Sequence, residues 1–219
     1  MRCNRVTLAV VGTAVFFGLA MPARAQRIGM IAGGTFSQLR GLDNVTAKNR
    51  TGTMFGASLT LPIGGSTAFQ PELLFVNKGS ELKIGDVGKK DIRIDYLEIP
   101  LLLRFDHNPG SAVGPHLYLG PSMGYKVGFN VGCNVSTILS GGTPASSACA
   151  DQTFKPKSFD WGAIAGVGVD LNVGGLGVTA GARYGIGLAD ISHDNRGALE
   201  QRVRNGTLTV YGGLLFGRR

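Results

Sequence analysis

The chain is poor in what a helical or catalytic protein usually carries. Among its 219 residues are 3 cysteines, 3 histidines and 1 tryptophan. Beyond residue 25 no apolar run approaches the roughly 20 residues that a membrane helix needs, and no segment keeps a helical period. Charged residues make up 16% of the chain, and no Lys/Arg cluster marks a nucleic-acid face. Cys3 lies in the first segment, and the residue directly after Ala25 is Gln26 and not a cysteine, so nothing there would carry a lipid. Cys133 and Cys149 have no cluster of histidines or acids beside them, which argues against a metal or redox centre. An even pair in an exported chain instead predicts a disulfide.

The abundant residue is glycine, with 35 positions and no collagen-like repeat. Glycine at this level is unusual for a helical protein, and within strands it lets backbones bend and approach closely. The start of the chain reads as a secretory signal peptide over residues 1–25. Arg2 and Arg5 precede the apolar run Val6 to Met21, and Ala23-Arg24-Ala25 is a small-x-small cleavage site. The remainder, 26–219, is expected to form one domain. The formal charge of +8 falls to +5 once Arg2, Arg5 and Arg24 are removed. If such a chain enters a membrane, it does so as a closed barrel, the one alternative to a helix that leaves no backbone group unpaired in lipid.

Alternation is clearest from Arg93 to Phe105. Leu97, Ile99, Leu101, Leu103 and Phe105 share one face, and Ile94, Tyr96, Glu98, Pro100, Leu102 and Arg104 share the other. The same period recurs over 27–36, 53–61, 69–78, 115–131, 159–171, 176–186 and 206–216. That predicts an all-β protein, an eight-stranded antiparallel up-and-down transmembrane β-barrel. The connections alternate between short turns and long polar loops (37–50, 79–92, 132–157 and 187–205), the outer-membrane pattern with both termini on the turn side.

The face without charge is expected to meet lipid. Phe75, Phe129, Phe159, Trp161 and Tyr184 would form a girdle towards the loops, and Phe69, Phe105 and Phe216 another towards the turns. Glu72, Glu98, Arg104, Lys126, Asp160, Asp170 and Arg183 fall on the opposite face and are expected to pair as a luminal plug, because eight strands leave little interior space. Pro100 cannot donate to a ladder, so a bulge or a strand end is expected there.

The run Asp95-Tyr96-Leu97-Glu98-Ile99-Pro100-Leu101 resembles a motif of the PorT-type outer-membrane β-barrel family. Gln70 to Gly79, Gly120-Pro121, Phe159-Asp160-Trp161-Gly162 and Arg183-Tyr184-Gly185 are also similar to that family. The resemblance implies an eight-stranded barrel in the outer membrane and little about activity. The expected role is structural or interactive: envelope integrity, adhesion, or an accessory subunit of a larger envelope machine. The expected partners are outer-membrane lipid and an envelope or extracellular protein met through the four loops. Neither nucleic acid, metal nor other cofactor is expected.

The alternatives are a lipid-modifying enzyme, a narrow pore and a soluble lipocalin-like barrel. For the enzyme the chain offers Ser192-His193-Asp194 in the last loop and His107 with His116 at the other end. A triad requires convergence in space, whereas neighbours along a loop point apart. No catalytic residue is therefore assigned.

Overall fold

The computed structural model describes residues 26–40, 47–84, 88–135, 158–173, 176–188 and 204–217. The signal segment, Cys149 and Ser192-His193-Asp194 lie outside the described residues. The strands are β1 (Arg27–Arg40), β2 (Ala47–Gly64), β3 (Thr67–Ile84), β4 (Gly88–Asp106), β5 (Val113–Val135), β6 (Phe159–Val173), β7 (Leu176–Gly187) and β8 (Arg204–Phe216). Each pairs antiparallel with the next, and β8 closes on β1 through pairs such as Ile28 with Phe216 and Arg40 with Arg204. Closure removes every sheet edge within the lipid-crossing height, which is what an apolar solvent requires of a sheet.

The wall follows the alternation. Leu97, Leu103, Leu119, Val167, Val210 and Leu214 project outward and are exposed, while Glu98, Arg104, Asp170 and Arg183 are buried inside. A soluble lipocalin-like barrel would turn its greasiest residues to the axis, so that alternative does not fit. The lumen also holds an apolar layer, Ile31, Met54, Leu74, Val76, Leu102, Tyr118, Ile164 and Tyr211, packed as one cluster. Ion pairs lie on either side of this layer, and the Arg183 guanidinium is set into it against the Tyr118 and Tyr211 rings.

Three expectations need correction. First, the strands are longer than the alternation suggested. The ladder between β3 and β4 continues to Ile84 opposite Gly88, so most of 79–92 is hairpin and not loop. Similarly β1 and β2 take up 37–40 and 47–50, β5 runs on to Val135, and β8 begins at Arg204. Beyond the lipid both faces of a strand can be polar, so the ladder persists where the period-two signal stops.

Second, Pro100 causes neither a bulge nor a strand end. It pairs with Ser122 inside an unbroken β4, and the pairs on either side against β3, Pro71 with Leu101 and Leu74 with Glu98, keep one register.

Third, a bulge lies on β5, where Lys126 opposes Tyr96 and Gly128 opposes Asp95, leaving Val127 as the extra residue; the β2–β3 ladder also shifts register between Asn49 and Met54 and between Pro62 and Gly64. An extra residue reverses the alternation beyond it. Phe129 therefore lies opposite Ile94 and packs against the buried Ile94–Tyr96 pair instead of joining the lipid girdle. The other aromatics of the girdles remain on the outer wall, where Phe55 stacks obliquely on Phe75 and Tyr125 meets Phe159 edge-on, each at 5.2 Å between ring centroids.

On the turn side β2 and β3 are joined by Gly65-Ser66, with Gly65 at φ +53°, a left-handed conformation that glycine adopts without steric cost.

Candidate functional site

The inward side chains form polar clusters along the axis. The first lies at the turn side and is centred on Asp170 of β6. Its Oδ2 accepts from Arg27 Nη1 at 3.1 Å and from Arg104 Nη2 at 2.6 Å. Arg27 Nη2 also donates to Asn172 Oδ1 at 2.7 Å, and Arg104 donates from Nε and Nη2 to Asp106 Oδ1 at 2.9 and 2.8 Å. A planar guanidinium has donors for several acceptors at once, which is why arginine and not lysine suits this place.

Gln70 links this cluster to the next. Its Oε1 accepts from Arg104 Nη1 at 3.1 Å, and its Nε2 donates to Glu72 Oε1 at 2.7 Å. Glu72 in turn holds Arg183, whose Nη1 donates to Glu72 Oε2 at 2.5 Å. The Arg183 guanidinium lies 4.6 Å from the Tyr211 ring centroid and 5.3 Å from that of Tyr118, and Tyr118 donates its hydroxyl to that of Tyr211 at 3.0 Å. Two electron-rich ring faces and one carboxylate replace the water that this cation has lost.

Glycine makes this clamp possible. A methyl group on Gly166 would stand 2.5 Å from the Tyr118 hydroxyl oxygen, and one on Gly181 would stand 2.7 Å from that of Tyr211. The glycines of β6 and β7 are thus recesses for the tyrosines that clamp Arg183.

Towards the loops, Lys78 Nζ meets Glu98 Oε2 at 3.0 Å and lies 5.4 Å from the Tyr96 ring. Asp160 lines a cavity of about 10 Å³ together with Lys78, Glu98 and Ser122. A second cavity, of about 20 Å³, is lined by Lys78, Glu98 and Arg183 along with Thr207 and Thr209. Each has room for about one water. Higher still, Asn77 donates to Asp95 Oδ1 at 2.5 Å and accepts from Thr35 through its backbone oxygen at 2.9 Å, tying β1, β3 and β4 together.

Of the seven charges read from the sequence, Arg104 and Asp170 meet in the first cluster and Glu72 and Arg183 meet in the second. Glu98 and Asp160 share the third with Lys78. Lys126 faces inward opposite Tyr96, with its ammonium 5.9 Å from the Phe129 ring. Arg27, Lys78, Asp106 and His116 complete the clusters and were missed. Alternation could have found them: Arg27 precedes the outward Ile28, Lys78 and His116 lie on inward faces, and Asp106 follows Arg104 by two.

His116 is buried, with Nδ1 3.5 Å from the Gly114 carbonyl oxygen and 3.6 Å from Asp170 Oδ1. His107 is exposed at the turn side. Cys133 lies on β5 opposite Lys90, whereas Cys149 is outside the described residues.

Replacing Glu98 by alanine leaves the Lys78 ammonium with Asp160 as the nearest acid on its cavity. We expect a loss of roughly 2 kcal/mol, seen as unfolding at a lower temperature in a heat-modified gel-mobility assay. Mobility that changes at the same temperature in both proteins would remove Glu98 from the support of the barrel.

No curated protein matches the chain. Among solved structures, the outer membrane protein OprG of Pseudomonas aeruginosa is 13% identical with a TM-score of 0.48, over 89% of this chain and 97% of its own. Neisserial surface protein A is 16% identical with a TM-score of 0.45, over 86% and 96%. The attachment invasion locus protein Ail of Yersinia pestis is 12% identical with a TM-score of 0.42, over 87% and 98%. The family model described as outer membrane protein beta-barrel domain matches residues 22–193. With that match and eight strands closed into a barrel with an apolar wall, the chain belongs to the outer membrane protein beta-barrel domain family.

Proposed function

We propose that this barrel is a non-catalytic element of the outer membrane, anchored by its wall and working through what it presents outside. The observation that carries this reading is the filled lumen. Buried ion pairs and an apolar layer occupy the axis, and the two cavities beside Lys78 have volumes of about 10 and 20 Å³. A catalytic lumen needs room for a substrate beside its acid and base. His116, in contact with Asp170 and the Gly114 carbonyl, serves the ion-pair cluster instead.

The roles in view are envelope integrity, adhesion or service as an accessory subunit, with the partner met by the strands and connections on the loop side. The finer kinship with PorT-type barrels is part of the same proposal. It rests on the Tyr96-Leu97-Glu98-Ile99-Pro100-Leu101 run of β4, whose Glu98 is paired with Lys78.

Photocrosslinking in intact cells tests the reading, with probes at loop-side positions compared with probes at the turn-side Asn108. Specific protein adducts from the loop side alone are expected. Turnover of phospholipid or lipid A by the purified barrel would contradict it.

A disulfide between Cys133 and Cys149 would brace the longest connection. The chain-entropy account of such a loop gives about 3 kcal/mol. A thiol assay on unreduced, denatured mature protein should find no reactive thiol, and two would refute the bridge.

A further inference from the structure

The outer wall is not evenly covered. Along β7 the outward residues run Leu176, Val178, Ala180, Ala182, Tyr184, so two methyl groups stand between larger side chains. Beside them Gly168 and Gly181 offer only backbone. Phe105 of β4, Leu117 of β5 and Val167 of β6 share one row of cross-strand pairs with Ala182 and rise above it as a bank. Between bank and floor lies an open, apolar groove of about 510 Å³ in the turn-side half of the wall.

His107 lines the turn-side end of this groove. Its backbone N–H donates to the Pro115 carbonyl at 2.9 Å, which fixes the residue there, and its imidazole is exposed. The neighbouring acid, Asp106, is buried and taken up by Arg104 at 2.8 Å. No carboxylate is among the described residues that line the groove.

We propose that the groove holds one phospholipid of the turn-side leaflet, with an acyl chain over Ala180 and Ala182 and the phosphate accepting from His107. The groove is continuous with the lipid-facing wall, and leaving it empty would forfeit the contacts of its lining. Its volume is that of a site for a small organic ligand. An imidazole N–H donates readily to an anionic oxygen, and nothing acidic at the mouth repels one. Two linked contacts hold this lipid longer than neighbours that have the chain contact alone. The proposal rests on the wall meeting lipid, and it adds a lipid partner at the end opposite the loop-side surface.

Native mass spectrometry of the mature, folded barrel tests it, after incubation in detergent with a phosphatidylglycerol or with a diacylglycerol of the same chains. The wild type should retain one phosphatidylglycerol, and the diacylglycerol about fivefold less often. Ala180→Leu with Ala182→Leu fills the groove and should lower phosphatidylglycerol retention by about fivefold or more. Ala57→Leu, the same addition on the exposed outer wall of β2, should leave it unchanged. His107→Ala should bring phosphatidylglycerol down to the level of the diacylglycerol.

Retention unchanged by filling the groove or by His107→Ala overturns the site, as does a loss that Ala57→Leu shares. Crosslinks from the loops do not depend on the groove, so the loop-side reading survives those results. A wild type that neither keeps lipid nor inserts into vesicles would sink the lipid-facing wall itself, which separates the two.

Discussion

Replacing Asp170 by alanine will destabilise the folded barrel by about 3–5 kcal/mol, the usual cost of breaking a buried ion pair by removing one partner. Asp170 is fully buried and is the acid that accepts from both Arg27 and Arg104. Arg104 keeps Asp106, and Arg27 keeps its bond to Asn172. Arg27 loses its ion pair with the carboxylate in a place that water barely reaches, and it should carry most of the loss. The double variant Asp170→Ala with Arg27→Met should recover part of it, because a non-polar side chain of similar length has no charge to desolvate. Urea titration of the barrel folded in lipid vesicles measures both. A loss below 1 kcal/mol in the single variant would mean that the cluster is hydrated in the membrane, contrary to the packing described.

A second large effect is expected on the other face. Leu119→Arg, at a position 51% exposed on the outer wall of β5, should cost about 2–4 kcal/mol if it lies near the bilayer midplane. The burial pattern alone would suggest the reverse, since exposed positions in water tolerate arginine with little change. The same substitution should therefore be nearly neutral in a soluble protein and severe in this one. Folding yield into vesicles against urea gives the value, and wild-type behaviour would place this wall in water. Gly110, at the turn side with nothing close to an added side chain, is a poor control because its φ is +89°. The exposed His107 is a better one, and His107→Arg should change stability little.

How much of this could be read from the residues alone follows from what alternation can carry. Leu97 against Glu98, Val178 against Thr179 and Leu214 against Gly213 fixed which face of each strand meets lipid, because period two is a local property of the chain. Closure into eight strands followed from their number and from the alternating connections. The bulge at Val127 left no mark in composition, so Phe129 was placed one face wrong. The polar extensions of β3 and β4 carry no alternation and looked like loop.

The charges on the inner face were legible, but their partners were not. Glu72 and Arg183 are 111 residues apart, and Arg27 and Asp170 are 143 apart. Such distances close only when the barrel does. The apolar belt of Leu74, Leu102 and Ile164 was likewise hidden, since alternation gives the face of each residue and not which inward residues meet across the axis. Together they show that the lumen is packed as a core, with ion pairs as part of the packing.

The central claim, an apolar wall turned to acyl chains, can be tested through the single tryptophan. Trp161 is 53% exposed on the outside of β6, near its loop-side end. The measurement is fluorescence quenching of the folded protein in vesicles whose lipids carry bromine at graded depths along the acyl chain. The account predicts strong quenching, greatest for bromines near the headgroup and weaker for those near the chain terminus. Emission untouched by bromine at any depth, with the tryptophan open to an aqueous quencher instead, would contradict it.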